Sequence, residues 1–144
     1  MSYAMRRAER EQFLAQPHVG VLSVVDDGTP LSVPVWYSYQ PGGPVGVITG
    51  GESRKVRAVR AAGWLSLCAQ NETWPYKYVT ASGPAVISGP ASHAGQRAMA
   101  SRYLGEEGAD RYMAWVTASG EVDQQIMIEM TPQTWLTVDY SKLR

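Results

Sequence analysis

The run His18-Val19-Gly20-Val21-Leu22-Ser23-Val24-Val25 is followed by Asp26-Asp27-Gly28-Thr29-Pro30 and then by Leu31-Ser32-Val33-Pro34-Val35-Trp36-Tyr37-Ser38-Tyr39. Two runs rich in β-branched and aromatic residues around an Asp/Gly/Pro turn favour strands over helices, so this part of the chain is expected to form an antiparallel pair. In the second run Val33, Val35, Tyr37 and Tyr39 fall on one face, and Ser32, Pro34, Trp36 and Ser38 on the other. Pro34 has no N–H to give to a ladder, so it marks an edge, a bulge or an opening through which a ligand can enter. Gln40-Pro41-Gly42-Gly43-Pro44 then turns the chain into a third strand, Val45 to Thr49, completing a meander.

The rest of the chain repeats this short spacing. A helix is expected from Arg6 to Ala15, stopped by Pro17, and another over Val56 to Ala62, stopped by Gly63. Trp64 to Gln70 reads as a fourth strand and Trp74 to Ile87 as a long fifth, bent or broken at Gly83-Pro84. Helices over Ala94 to Leu104 and Glu106 to Trp115 are separated by Gly105, and the strands Gln125 to Met130 and Thr134 to Val138 by Pro132. Six or seven short strands with helices at their ends argue a mainly β, α+β chain forming a small antiparallel barrel, rather than a layered α/β fold. With 144 residues and 44% apolar content, one domain over 1–144 is expected.

Between the third strand and the next helix stands Gly50-Gly51-Glu52-Ser53-Arg54-Lys55. Ser53 is a good N-cap residue, its hydroxyl able to accept a first-turn N–H, while the two glycines permit close approach. The remaining N–H groups, with Arg54 and Lys55 beside them, would suit an anion such as a phosphate. The other reading is an ordinary capped surface helix with solvated basic residues. Elsewhere the chemistry is sparse. Thirteen Lys plus Arg balance thirteen Asp plus Glu, which argues against nucleic acid or an anionic membrane as partner. Cys68 is the only cysteine, and His18 and His93 the only histidines, so no metal site is expected. No triad, paired carboxylate or activated cysteine is recognisable, and no catalytic side chain is assigned. The N-terminus lacks the apolar stretch of a signal peptide and no run has the length of a membrane span, so a cytoplasmic protein is expected.

Taken in order, Asp27-Gly28-Thr29-Pro30, Pro34-Val35-Trp36-Tyr37, a Gly-Gly turn, Ser53-Arg54-Lys55, Trp74-Pro75-Tyr76-Lys77-Tyr78-Val79 and Gly83-Pro84-Ala85 resemble the pyridoxamine 5′-phosphate oxidase-like, FMN-binding split-barrel proteins. The likeness covers about residues 9 to 140 and is nearest to short, actinobacterial-type members that use FMN or the deazaflavin F420. It implies a six- to seven-stranded antiparallel split barrel, and a homodimer with cofactor sites at the subunit interface. It also implies an oxidoreductase passing hydride between the cofactor and a small organic substrate, the alternative being a non-catalytic carrier or sensor. F420 is placed ahead of FMN, with Arg57 and Arg60 as candidates to meet the acidic tail of the deazaflavin.

Matched position by position, Arg54 and Lys55 correspond to the basic pair on the cofactor phosphate, with Ser53 beside them. Pro34, Val35 and Trp36 correspond to the segment along the tricyclic ring, and Thr49 and Gly50 to the strand end near the ribityl chain. Trp74 and Tyr76 match a segment near the ring of the same or the other subunit, and Gln70 a polar contact. Packing in a core or dimer interface is the competing role for Trp36 and Trp74. Tyr103, Trp115 and Trp135 are read as packing residues. The chain departs from true pyridoxamine-phosphate oxidases in ending Asp139-Tyr140-Ser141-Lys142-Leu143-Arg144, without the Arg and His that hold the vitamin, so vitamin B6 oxidation is not expected.

Overall fold

A computed structural model describes residues 2–143. In chain order it contains α1 (Arg7–Ala15), β1 (Gly20–Asp26), β2 (Thr29–Val35), β3 (Val45–Gly50), α2 (Arg54–Ala62), β4 (Trp64–Gln70), β5 (Lys77–Pro90), α3 (His93–Ser119), β6 (Gln125–Met130) and β7 (Thr134–Asp139). The strands form one curled antiparallel sheet in the order β2-β1-β4-β5-β6-β3, with β7 on β5. This is a split barrel with three helices, the architecture expected from the spacing of short strands.

The curl is made by β5, whose first part lies between β4 and β7 while residues 85–90 pair with β6. The expected break at Gly83-Pro84 is instead the point where the strand exchanges partners. The ladder continues through it, and the irregularity comes later, between Ile87 and Gly89. At Gly83 the backbones approach so closely that a β-carbon on it would stand 1.8 Å from the Thr131 carbonyl oxygen. Thr131 N–H donates to Pro84 O at 3.0 Å and Gln133 N–H to Ser82 O at 2.8 Å, fastening the β6–β7 connection across β5. Trp74 to Tyr76, read as part of this strand, precede it.

β2 and β3 are the outer strands of the six-strand path, so Pro34 sits on an edge, where its missing N–H costs no ladder bond. The second run does not remain in the ladder to Tyr39. After Val35 it peels away, and Ser38 and Gly46 exchange N–H···O bonds of 2.8 and 2.9 Å across the gap to β3. The barrel closes at that bridge and is split beside it. Helix α2 packs on β1, β4 and β5 through Val56 and Val59, both fully buried. Burying such side chains contributes roughly 2 kcal/mol each.

Tyr37 and Tyr39 enter the core with Leu22, Val47, Leu65, Leu67, Val79, Ile128 and Met130. Phe13 and Leu14 of α1 close one end, and the buried Tyr37 hydroxyl donates to Leu14 O at 2.7 Å. Helix α3 is two helical segments joined at Gly105, whose φ of 76° and ψ of 175° are non-helical, as the separation of two helices there led one to expect.

Gly83→Ala should destabilise the protein by about 1–3 kcal/mol, because two backbones must part to admit a methyl group. Thermal unfolding followed by circular dichroism should show a Tm lower by roughly 3–10 °C. An unchanged Tm would contradict the close-approach account.

Candidate functional site

Residues assigned to one site from the sequence fall into two groups. Pro34 and Val35 on β2, Trp36 just after it, Thr49 and Gly50 on β3, and Ser53, Arg54 and Lys55 at the start of α2 lie around the split. Gln70 ends β4, and Trp74 and Tyr76 lie in the connection to β5. Val35, Gly20 and Ala69 stand in one row across β2, β1 and β4, so Gln70 shares the barrel end of Trp36, two strands away. Between β2 and β5 lie β1 and β4, which at strand spacing separate them by roughly 14 Å. Trp74 and Tyr76 are therefore not brought to the split by their own chain. They are largely exposed, packed edge to face at 5.3 Å, with Trp74 stacked on Tyr140 at 6.0 Å.

The start of α2 departs from the expected cap. Ser53 occupies the N-cap position in extended conformation, yet its hydroxyl caps nothing; it is buried without a hydrogen-bond partner. Among the described residues, no backbone oxygen or capping side chain takes the N–H groups of Arg54, Lys55 or Val56. Three aligned donors and an orphaned hydroxyl therefore open in one place, and the buried hydroxyl costs free energy while it is unpaired. Beside them a β-carbon on Gly50 would meet nothing within 4 Å, so there is open space against this strand end.

The two basic residues differ. Arg54 Nε donates to the Asp26 carboxylate at the end of β1 at 2.7 Å, so this guanidinium is partly committed and neutralises an acid that would otherwise repel an anion. Lys55 makes no ion pair among the described residues. It is half-buried, and loss of hydration holds its ammonium group below the ordinary lysine value. Arg57 turns back to the Glu52 carbonyl at 2.8 Å, while Arg60 is exposed.

Trp36 is packed against α3. Its ring is parallel to Tyr103 at 5.0 Å and tilted on Tyr112 at 5.5 Å. Tyr103, read from sequence as simple packing, also fixes the segment after β2: its hydroxyl accepts from Tyr37 N–H at 3.0 Å and donates to His18 O at 2.7 Å. Arg102 extends the clamp, donating to Ala15 O and Gln16 O at 2.9 and 3.0 Å. Only the tertiary fold joins these residues, and no local pattern announces them. Among the described residues no His, Cys, Asp and Glu gather as a metal site, and no helix is long and apolar enough to cross a membrane.

The family model described as pyridoxamine 5′-phosphate oxidase matches residues 7–139. No curated protein matches the sequence. A conserved hypothetical protein from Mycobacterium tuberculosis is similar in structure, with a TM-score of 0.78 at 20% identity, covering 99% of this chain and 91% of that one. An F420 reductase aligns with a TM-score of 0.70 at 21% identity, over 88% of this chain and 94% of its own. A FAD-binding protein from Mesorhizobium loti gives 0.67 at 19%, over 93% and 94%. At these identities the structures share the fold, and the family model supplies the classification. The chain belongs to the pyridoxamine 5′-phosphate oxidase family.

Tyr103→Phe removes one hydroxyl and leaves Tyr37 N–H and His18 O unpaired, at a cost of about 1–3 kcal/mol. Urea unfolding should show that loss together with altered tryptophan fluorescence from Trp36. Parent-like stability would mean that the clamp is dispensable.

Proposed function

We propose that this chain is a homodimeric oxidoreductase that binds a flavin-type cofactor at the split between β2 and β3, with its phosphate at the start of α2. The observation that carries this reading is the set of unpaired groups around Ser53: an orphaned hydroxyl, three first-turn N–H donors and the partly desolvated Lys55. An anion would satisfy all of them at once. Lys55 and the helix amides would hold the phosphate, Thr49 and Gly50 the polar chain, and Pro34, Val35 and Trp36 one side of the ring. When bound, such a group supplies hydride transfer, for which no side chain here offers a substitute. The protein's part is to orient it and exclude water, with Trp36 held by Tyr103 from behind.

Dimerisation is supported by the outer face of the sheet. The row Pro34, Val21, Cys68, Thr80 and Leu136, and the next row Ser32, Ser23, Ser66, Ser82 and Thr134, contain no charged residue. Val25, Trp64 and Leu136 are exposed around it. A broad uncharged face with large exposed apolar side chains favours a partner subunit, and Pro34 at its border would bring the ring segment to that interface. Trp74 and Tyr76 of one subunit would then face the split of the other.

F420 is the favoured cofactor and FMN the alternative. The exposed Arg57 and Arg60 follow Lys55 on α2 and offer charge for an acidic tail extending beyond the phosphate. A F420 reductase with this fold adds to that choice. Titrating apo-protein with each cofactor, following tryptophan quenching, should give tighter binding of F420; tighter FMN binding would reverse the order.

With FMN as probe, Lys55→Ala should weaken binding by ~1.5–3 kcal/mol, and Arg57→Ala far less. Equal affinity in parent and both variants would place the anion elsewhere. Light scattering should give twice the 15.8 kDa chain mass for the parent and a monomer for Ser66→Arg, at the centre of the uncharged face. A parent mass near 15.8 kDa would remove the interfacial site.

A further inference from the structure

Helix α3 carries an open groove of about 430 Å³ between its two segments, lined by Leu104, Gly108, Arg111, Tyr112 and Trp115. Its floor is continuous with the candidate ring segment: Trp36 leans on Tyr112 at 5.5 Å, and Tyr112 on Trp115 at 6.3 Å. Leu104 and Trp115 are exposed at 47% and 59%, unusual for large apolar side chains that face one hollow. The hollow exists because the chain kinks at Gly105, and because residue 108 has no side chain. A β-carbon there would collide with Leu104 Cβ at 2.6 Å.

The charges around the groove are unevenly spent. Arg97 is engaged by Asp110 at 2.6 Å and by Glu106 at 3.3 Å, its one positive charge shared between the two carboxylates. Arg111, on the groove itself, makes no ion pair among the described residues, and Glu107 one turn earlier does not reach it. Aromatic walls beside an uncommitted guanidinium select a flat, conjugated molecule that bears a negative charge.

We infer that this groove binds the substrate of the redox site, a planar conjugated anion of the quinonoid carboxylate or sulfonate class, stacked on Trp115 and Tyr112 and paired with Arg111. The inference rests on the proposed cofactor site next to Trp36. The reaction it would serve is balanced for a quinone: the reduced cofactor gives up a hydride, the quinone takes it with one solvent proton to become a hydroquinone, and the cofactor returns to its oxidised form.

The test uses the full-length protein with anthraquinone-2-sulfonate as probe and neutral anthraquinone as its uncharged counterpart, binding being followed by amide shifts in NMR spectra. The sulfonate should perturb residues 104–115. Trp115→Ala should weaken both probes about fivefold, as loss of an aromatic contact does. Arg111→Gln should weaken the sulfonate alone, about threefold, as for an exposed ion pair. Neither variant should change FMN or F420 affinity, and in steady-state reduction of the sulfonate by reduced cofactor both should raise KM and leave kcat unchanged. Parent-like binding in both variants, or shifts confined to other elements, would overturn the inference. Dissociation of the dimer by Trp115→Ala would also overturn it, because the groove would then be a subunit contact. If the parent binds neither cofactor, the proposed function fails. Probe binding with the same variant pattern would then retain the groove as an anion site without the redox role, and loss of that pattern would remove both.

Discussion

The Ser38–Gly46 bridge is the constraint from which the rest of the structure follows. Two hydrogen bonds of 2.8 and 2.9 Å hold the segment that follows β2 against β3 at one point, and beside it the edges of β2 and β3 stay apart. An unclosed edge is a liability for a sheet, since its N–H and C=O groups solicit further strands. Here Pro34 removes one donor, α2 packs on the barrel through Val56 and Val59, and the residues after Val35 bend away to be held by Tyr103. The split is thus stabilised by its neighbours without being sealed.

An opening kept in this way has an electrostatic cost at α2. The first-turn donors and the Ser53 hydroxyl lack partners, and burial disfavours the charged form of Lys55. Because the folded state lowers the pKa of this lysine, stability rises with pH through the window between its folded value and the ordinary lysine value, where the unfolded chain holds the extra proton. A bound anion would pair the Ser53 hydroxyl and the first-turn donors and would favour the charged form of Lys55. The Asp26–Arg54 pair fits the same account, with the carboxylate at the mouth neutralised before any ligand arrives.

Much of the fold was legible in the chain because its strands are short, β-branched and separated by Gly and Pro turns. β4 begins and ends where the pattern placed it, and Gly63 ends α2 in the left-handed region, its N–H on Val59 O. What could not be read were the consequences of packing. Trp36 to Tyr39 continue the alternation of β2, so sequence alone extends the strand, whereas the closing bridge to Gly46 takes them out of the ladder. Gly83-Pro84 resembles a break, yet it marks a close crossing by the Thr131 backbone. The capping expectation for Ser53 rested on residue type, whereas in the structure the hydroxyl is buried without a hydrogen-bond partner. Arg54 and Asp26 are 28 residues apart, and Tyr103 and Tyr37 66 apart, so no local window could pair them. The uncharged outer face emerges only when the registers of five strands are laid side by side.

The central claim is that the α2 amides and Lys55 receive the phosphate of a flavin-type cofactor. Amide-resolved NMR of the 15N-labelled protein during titration with F420 or FMN tests it most directly. The largest shifts, downfield as hydrogen bonds form to an anion, should fall on Arg54, Lys55 and Val56, with smaller changes at Val35, Trp36 and Gly50. Saturable binding that leaves those three amides where they were would contradict it.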